Sequence, residues 1–395
     1  MKTIAQPVNP AKAKTKNMPR AAARVLTLTV LAGALSACSM FGGKEAPKPL
    51  DLGPNPGKIA VHQAWTVKLG SEVPLAMPAL VQGNTVTVVT KDGSVTTLDG
   101  NSGSQLGKFS AGEPLTTGVG SDGQRTAVVT RSNQLAVFAE GKQLWKHRLN
   151  AAVYTPPLVA GGRVFVMTAD RSLAAFDANN GRELWSAEGP SNEPLILRQP
   201  GVLLPVGNTL VVGVSGRLAG VDPDNGSVRW MAPLAAPRGT NDVERLVDLV
   251  GPVSRVGASV CARAFQASVG CVDVSNANVR WTQNSKGSDG IDGDEQSVFG
   301  AESNGTVQAW RRTDGERLWS VDKLQYRKLT APLVLGRSVV LADDLGTVHM
   351  LSREDGSALT RLQTDKAGVA TAPVVAANTL VVVSRSGTVY GFKPD

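Results

Sequence analysis

The chain is poor in the residues that most chemistry requires. Its 395 residues include three histidines, three cysteines and three tyrosines, and aromatic side chains make up 5%. His62, His147 and His349 stand at unrelated places, none beside a cysteine or a spaced carboxylate, so zinc and haem sites lack their ligand spacing. These histidines are expected to be solvated or satisfied within the fold. No nucleophile elbow, phosphate-cradling glycine motif or EF-type loop occurs. The run Asp289-Gly290-Ile291-Asp292-Gly293-Asp294-Glu295 is acidic and glycine-rich but lacks the ligand order of a calcium loop, and is expected to be a solvated connection. Helical periodicity is nearly absent. The expectation is a chain with no catalytic residue, no cofactor and no metal.

Basic excess is also missing once the first segment is set aside. Residues 1–37 hold six of the 41 basic residues and no acidic one, which leaves 35 against 33, or +2, for the remainder. A near-neutral body argues against a nucleic-acid partner.

That first segment has its own logic. The apolar run over residues 25–35 is too short to cross a bilayer core, which takes about 20 residues. With Arg20 and Arg24 before it and Leu35-Ser36-Ala37-Cys38 after it, it has the form of a cleaved secretory signal ending in a lipobox. A start at Met18 instead of Met1 would give a compact version of the same signal. Cleavage would leave Cys38 first, its acyl chains anchoring the protein on a membrane surface facing the periplasm. Ser39, where an Asp would favour inner-membrane retention, directs the expectation to the outer membrane. Residues 38–58, rich in Pro, Gly and Lys, are expected to be a flexible tether. In that oxidising compartment Cys261 and Cys271 are expected to pair across a hairpin bend near Gln266, with two free buried thiols as the alternative.

What the sequence has in abundance is repetition. Apolar residues around a Gly or Asn turn are followed by two alternating strands, an Asp/Asn/Gly turn, and a strand often carrying Trp. Clear copies run over 157–185, 204–230, 298–319 and 332–360, and weaker ones over 78–107, 119–145 and 253–281. A last copy from Pro373 stops after Gly387-Thr388-Val389-Tyr390-Gly391-Phe392, short of its final strand. The period-2 alternation broken by turn residues predicts short antiparallel strands. Trp spacings of 40, 45, 51 and 38 residues from Trp145 to Trp319 match four-stranded propeller blades. The expected fold is all-β: an eight-bladed β-propeller over residues 59–395. The orphan strand Trp65-Thr66-Val67-Lys68-Leu69 would complete the last blade and remove the open edges. Each Trp, at one repeat offset, is expected to bury between adjacent blades.

The Gly-Thr-Val-aromatic strand, the Asp/Asn-Gly turn and the Trp strand resemble the repeat of the quinoprotein dehydrogenase propellers. Those enzymes use vicinal cysteines, a calcium site and an Asp base, and this chain has no adjacent Cys pair. Lipobox, blade count, closing strand and the final Gly387-Thr388-Val389-Tyr390 resemble more closely the non-catalytic BamB family of outer-membrane assembly lipoproteins. That resemblance implies a scaffold in the Bam complex that binds the periplasmic POTRA domains of BamA and assists unfolded outer membrane proteins. It also implies two binding loops. The family's Leu-x-Leu-Arg motif is matched by Leu195-Ile196-Leu197-Arg198, and its Arg-Leu-x-Asp-x-Asp run by Arg245-Leu246-Val247-Asp248-Leu249-Val250, in which Val250 replaces the second acid. Leu195 and Leu197 would supply apolar anchors, and Arg198, Arg245 and Asp248 polar contacts, with an Arg198–Asp248 pair as an alternative to direct contact. Two rival functions remain at this level: a quinone-dependent periplasmic dehydrogenase and a glycan-binding module. The second fits poorly with loops whose few aromatic exceptions are Tyr154 and Tyr326.

Overall fold

In the computed structural model, residues 47–75, 77–188, 196–237, 240–242 and 245–395 are described. The lipobox and Cys38 lie outside them, as does Leu195. The described residues form eight four-stranded antiparallel sheets arranged as propeller blades. Blades 1 to 7 are each continuous in sequence, from strands β2–β5 (80–110) to β26–β29 (333–363). Blade 8 joins β30 (Val374–Ala376), β31 (Thr379–Val383) and β32 (Thr388–Pro394) to β1 (Val61–Lys68). β1 pairs with β32 from Val61 opposite Pro394 to Lys68 opposite Thr388, the closing strand that the incomplete last repeat calls for.

Burial explains the sequence pattern of each strand. Middle strands are covered on both faces by neighbouring blades, so they read as apolar runs: β31, Thr-Leu-Val-Val-Val, is buried throughout. Outer strands face solvent on one side and alternate, as in β9 (Lys142–Arg148), where Trp145 is buried among exposed neighbours. Every blade has a register shift at the outer strand beside the Trp position, for example between Ala175 opposite Trp185 and Phe176 opposite Glu183. Such an extra residue twists the strand and re-aims its side chains.

The tryptophans are thereby directed at the next blade. Trp65, Trp145, Trp185, Trp281 and Trp319 donate their indole N–H to Gly100, Ala178, Pro223, Arg312 and Arg353, each in the following blade. Their rings lie against the last turn of that blade. A Cβ at Gly315, whose φ of +76° already favours glycine, would come 2.5 Å from Trp281. The expectation of inter-blade aromatic burial is met here, with Trp145 and Trp281 buried and the others half-buried. At about 25 cal/mol per Å², rings of roughly 150–250 Å² contribute several kcal/mol per joint as an upper figure.

Cys261 on β19 (Ser259–Ala264) faces Cys271 on β20 (Ser268–Asp273), across a hairpin whose turn includes Gln266 at φ +49°. Their sulfurs are bonded and wholly buried in a cluster with Trp281 and Trp310.

Blade 7 departs from the repeat, because Thr360 stands where its Trp would be. The chain fills that joint from its other end. Asn55 accepts the amide N–H of Arg361 at 2.9 Å and donates to the Arg361 carbonyl at 3.0 Å, so one side chain satisfies both backbone groups of an edge residue of β29 (Ala358–Gln363). Lys58 N–H donates to Leu359 O, Arg361 reaches the carbonyls of Gly53 and Pro54, and Ile59 and Val61 pack into the cluster of Leu362 and Phe392. The flexible tether expected over 38–58 is thus a bonded strap from residue 50 onward. Its Pro and Gly content signalled loop backbone, but not the edge groups 300 residues away that hold it.

Candidate functional site

The two loops singled out in the sequence lead into consecutive blades. Residues 196–202 run into β14 (Leu203–Val206), and residues 245–248 follow β17 (Val228–Pro233) and run into β18 (Leu249–Val256). The fold brings them together through one carboxylate. Asp248 Oδ2 accepts the backbone N–H of Leu197 at 3.0 Å, and Oδ1 accepts Arg171 Nη1 at 2.8 Å. Asp248 and Arg171 are each 7% exposed. Asp248 is therefore a buried clip between loops, paired with Arg171, and not a surface group. Arg198 and Arg245 are exposed, Leu197 and Leu246 half-buried, and Val250, which replaces the second acid of the motif, is buried in β18.

Beside the clip lies a shallow cleft lined by Tyr154, Met167, Ile196, Leu197 and Leu249 among others. A second, smaller recess on the other side of Arg171 includes Asp242, Arg245 and Leu246. The surface thus offers a mostly apolar socket, a smaller polar one, and exposed guanidinium groups at Arg198 and Arg245. That chemistry suits recognition of another protein: apolar anchors with charged neighbours.

Sequence inspection missed Arg171. Its signal was available, because it occupies the turn position where other blades place Gly93, Gly305, Gly346 and Gly387.

The remaining polar candidates have structural partners. His349 Nε2 donates to the buried Asp343, His147 packs on the Phe176 ring at 4.8 Å, and His62 bonds Asp395. In the acidic run, Asp292 accepts the amide of Val334 in the next blade and Asp294 those of Gln296 and Ser297. Among the described residues no group of three His, Cys, Asp or Glu side chains could hold a metal ion.

Comparison with known proteins separates fold from family. A quinohemoprotein alcohol dehydrogenase from Comamonas testosteroni superposes with a TM-score of 0.64 at 13% identity, over 86% of this chain and 77% of that one, a likeness of fold alone. BamB from Moraxella catarrhalis superposes with a TM-score of 0.75 at 23% identity, over 84% of this chain and 99% of that one. Sequence is more discriminating. The outer membrane protein assembly factor BamB of Bordetella pertussis is 34% identical over 312 residues, 78% of this chain and 81% of that protein. That of Burkholderia pseudomallei is 35% identical over 72% of this chain and 75% of its own length. A family profile described as outer membrane protein assembly factor BamB matches residues 91–321. With more than half of its length matched by that profile, this chain belongs to the BamB family of outer membrane protein assembly factors.

Proposed function

We propose that this chain is a non-catalytic, lipid-anchored scaffold of the outer-membrane Bam complex, facing the periplasm, and that the paired loops around Leu197 and Asp248 dock the POTRA domains of BamA. The observation that carries the reading is the Asp248 clip, which joins the two motif-bearing loops into one surface beside an apolar cleft. Leu197 supplies the apolar anchor on this surface, and the exposed Arg198 supplies the directional contact. Asp248 acts through loop geometry. Unfolded outer membrane proteins are the wider clients of such a complex.

Interface anchors typically cost about 2 kcal/mol or more on truncation, roughly 30-fold in affinity. Leu197→Ala and Arg198→Ala are each expected to cut co-purification of BamA from detergent-solubilised envelope while melting within a degree or two of the parent protein. Full recovery of BamA with both variants would remove this surface as the docking site.

Anchoring is tested separately. Cys38→Ala is expected to move the folded protein from the membrane to the soluble periplasmic fraction, since acyl chains and not the propeller supply membrane affinity. Persistent outer-membrane fractionation of that variant when it also carries Leu197→Ala and Arg198→Ala would refute lipid anchoring at Cys38.

A further inference from the structure

In most blades the turn between the second and third strands has a left-handed residue that closes a tight backbone bond, as in Gly93 N–H to Thr90 O and Gly346 N–H to Asp343 O. Blade 3 makes the same bond from Arg171 N–H to Thr168 O, with Arg171 at φ +68°. A residue with a Cβ is disfavoured there, and glycine meets the local need better. Blade 2 places Asn133 at the same position at φ +61°, a residue type that tolerates the left-handed region, whereas an arginine there is uncommon and points to a use for the side chain. That side chain is buried and reaches across 77 residues of sequence to Asp248. Burying such a pair is a poor way to add stability, and is more readily explained by the unique geometry it imposes.

We infer that Arg171 is the positioning residue of the docking surface: its guanidinium orients the Asp248 carboxylate so that the second oxygen pins the Leu197 backbone. The inference rests on the reading of these loops as the BamA surface, and adds a residue that neither loop motif contains. One carboxylate then links the blade 3 turn, the loop entering blade 4 and the loop entering blade 5. Arg171 also lines both recesses, so the bridge is the wall between the apolar socket and the polar one.

Arg171→Gly separates these roles, because glycine is the residue blades 1, 6, 7 and 8 use at this turn and relieves its backbone. In the free protein, hydrogen exchange at the Leu197 amide should accelerate about tenfold or more while amides of β15 (Thr209–Val214) keep their protection. Affinity for a purified POTRA fragment of BamA should fall about tenfold or more. Arg171→Lys, which keeps the charge but loses the planar fork, should lie between parent and glycine variant in both readouts. If the glycine variant does not fold, Arg171→Lys against the parent carries the same comparison. Unchanged Leu197 exchange overturns the inference, and if affinity is nevertheless lost Arg171 touches the partner directly. Leu197→Ala weakening binding while Arg171→Gly leaves it intact also overturns the inference and spares the docking surface. Faster Leu197 exchange with affinity unchanged in Arg171→Gly and Leu197→Ala alike supports the positioning role and removes the docking reading.

Discussion

A chain shortened to begin at Leu69 is expected to aggregate instead of closing its ring. Removing β1 takes away the strand that pairs along the whole of β32, exposing a row of unpaired backbone groups that invites edge-to-edge association. It also removes Trp65, whose indole donates to Gly100 of blade 1 and whose ring lies over Gly103. The joint between blades 8 and 1 thus loses its strand and its aromatic dock together. Trp65→Ala isolates the second loss, and about 3 kcal/mol is the expected destabilisation for truncating a packed Trp. Size-exclusion chromatography of the truncated chain and denaturant unfolding of Trp65→Ala measure the two effects. A monomeric, cooperatively unfolding protein lacking β1 would show that the seam is dispensable.

Asp343→Ala is expected to cost about 3–5 kcal/mol, the range for breaking a buried charge network by removing one partner. Its carboxylate accepts His349 Nε2 and Arg327 Nη1, each at 2.9 Å, and the amides of Leu345 and Thr347 at 3.0 and 2.8 Å. Asp343 and His349 are 1% exposed, so the groups left behind have no recourse to water. Arg327 also donates to the Leu50 carbonyl at 3.2 Å, which links this network to the strap. The variant should therefore be cut faster by trypsin after Lys58. Burial alone would push the Asp343 carboxyl up, but the bonds from His349, Thr347 and Arg327 outweigh it and hold the group below its ordinary value of 3.8. A depressed folded-state value contributes stability that is fully present above the unfolded value near 3.9 and is lost as pH falls through the folded one. The stability gap between the parent and Asp343→Asn should accordingly narrow below about pH 4. A gap that stays constant from pH 7 to pH 3 would show that the carboxylate charge is not what the network uses.

Much of the architecture was legible because a propeller writes its geometry into the chain at a fixed period. Turn glycines, alternating strands and the Trp offset each recur, and the missing outer strand of the last repeat is matched by the surplus strand at the start. The site was legible in a different way. The loop motifs were found by resemblance, and their meeting on one rim followed from their places after consecutive blades.

Period and propensity are local properties, and they determined the all-β class, the blade number, the closure by β1 and the tryptophan joints. Partnerships across blades are not local. That Asp248 turns inward to Arg171, that Asn55 supplies the edge of blade 7 with a side-chain amide in place of a strand, and that Arg327 ties Asp343 to Leu50 was decided only in three dimensions. The physical reason is the same in each case. A charge or amide has no preferred partner until burial removes water, and which groups then lie within 3 Å depends on the packing of blades from distant parts of the chain.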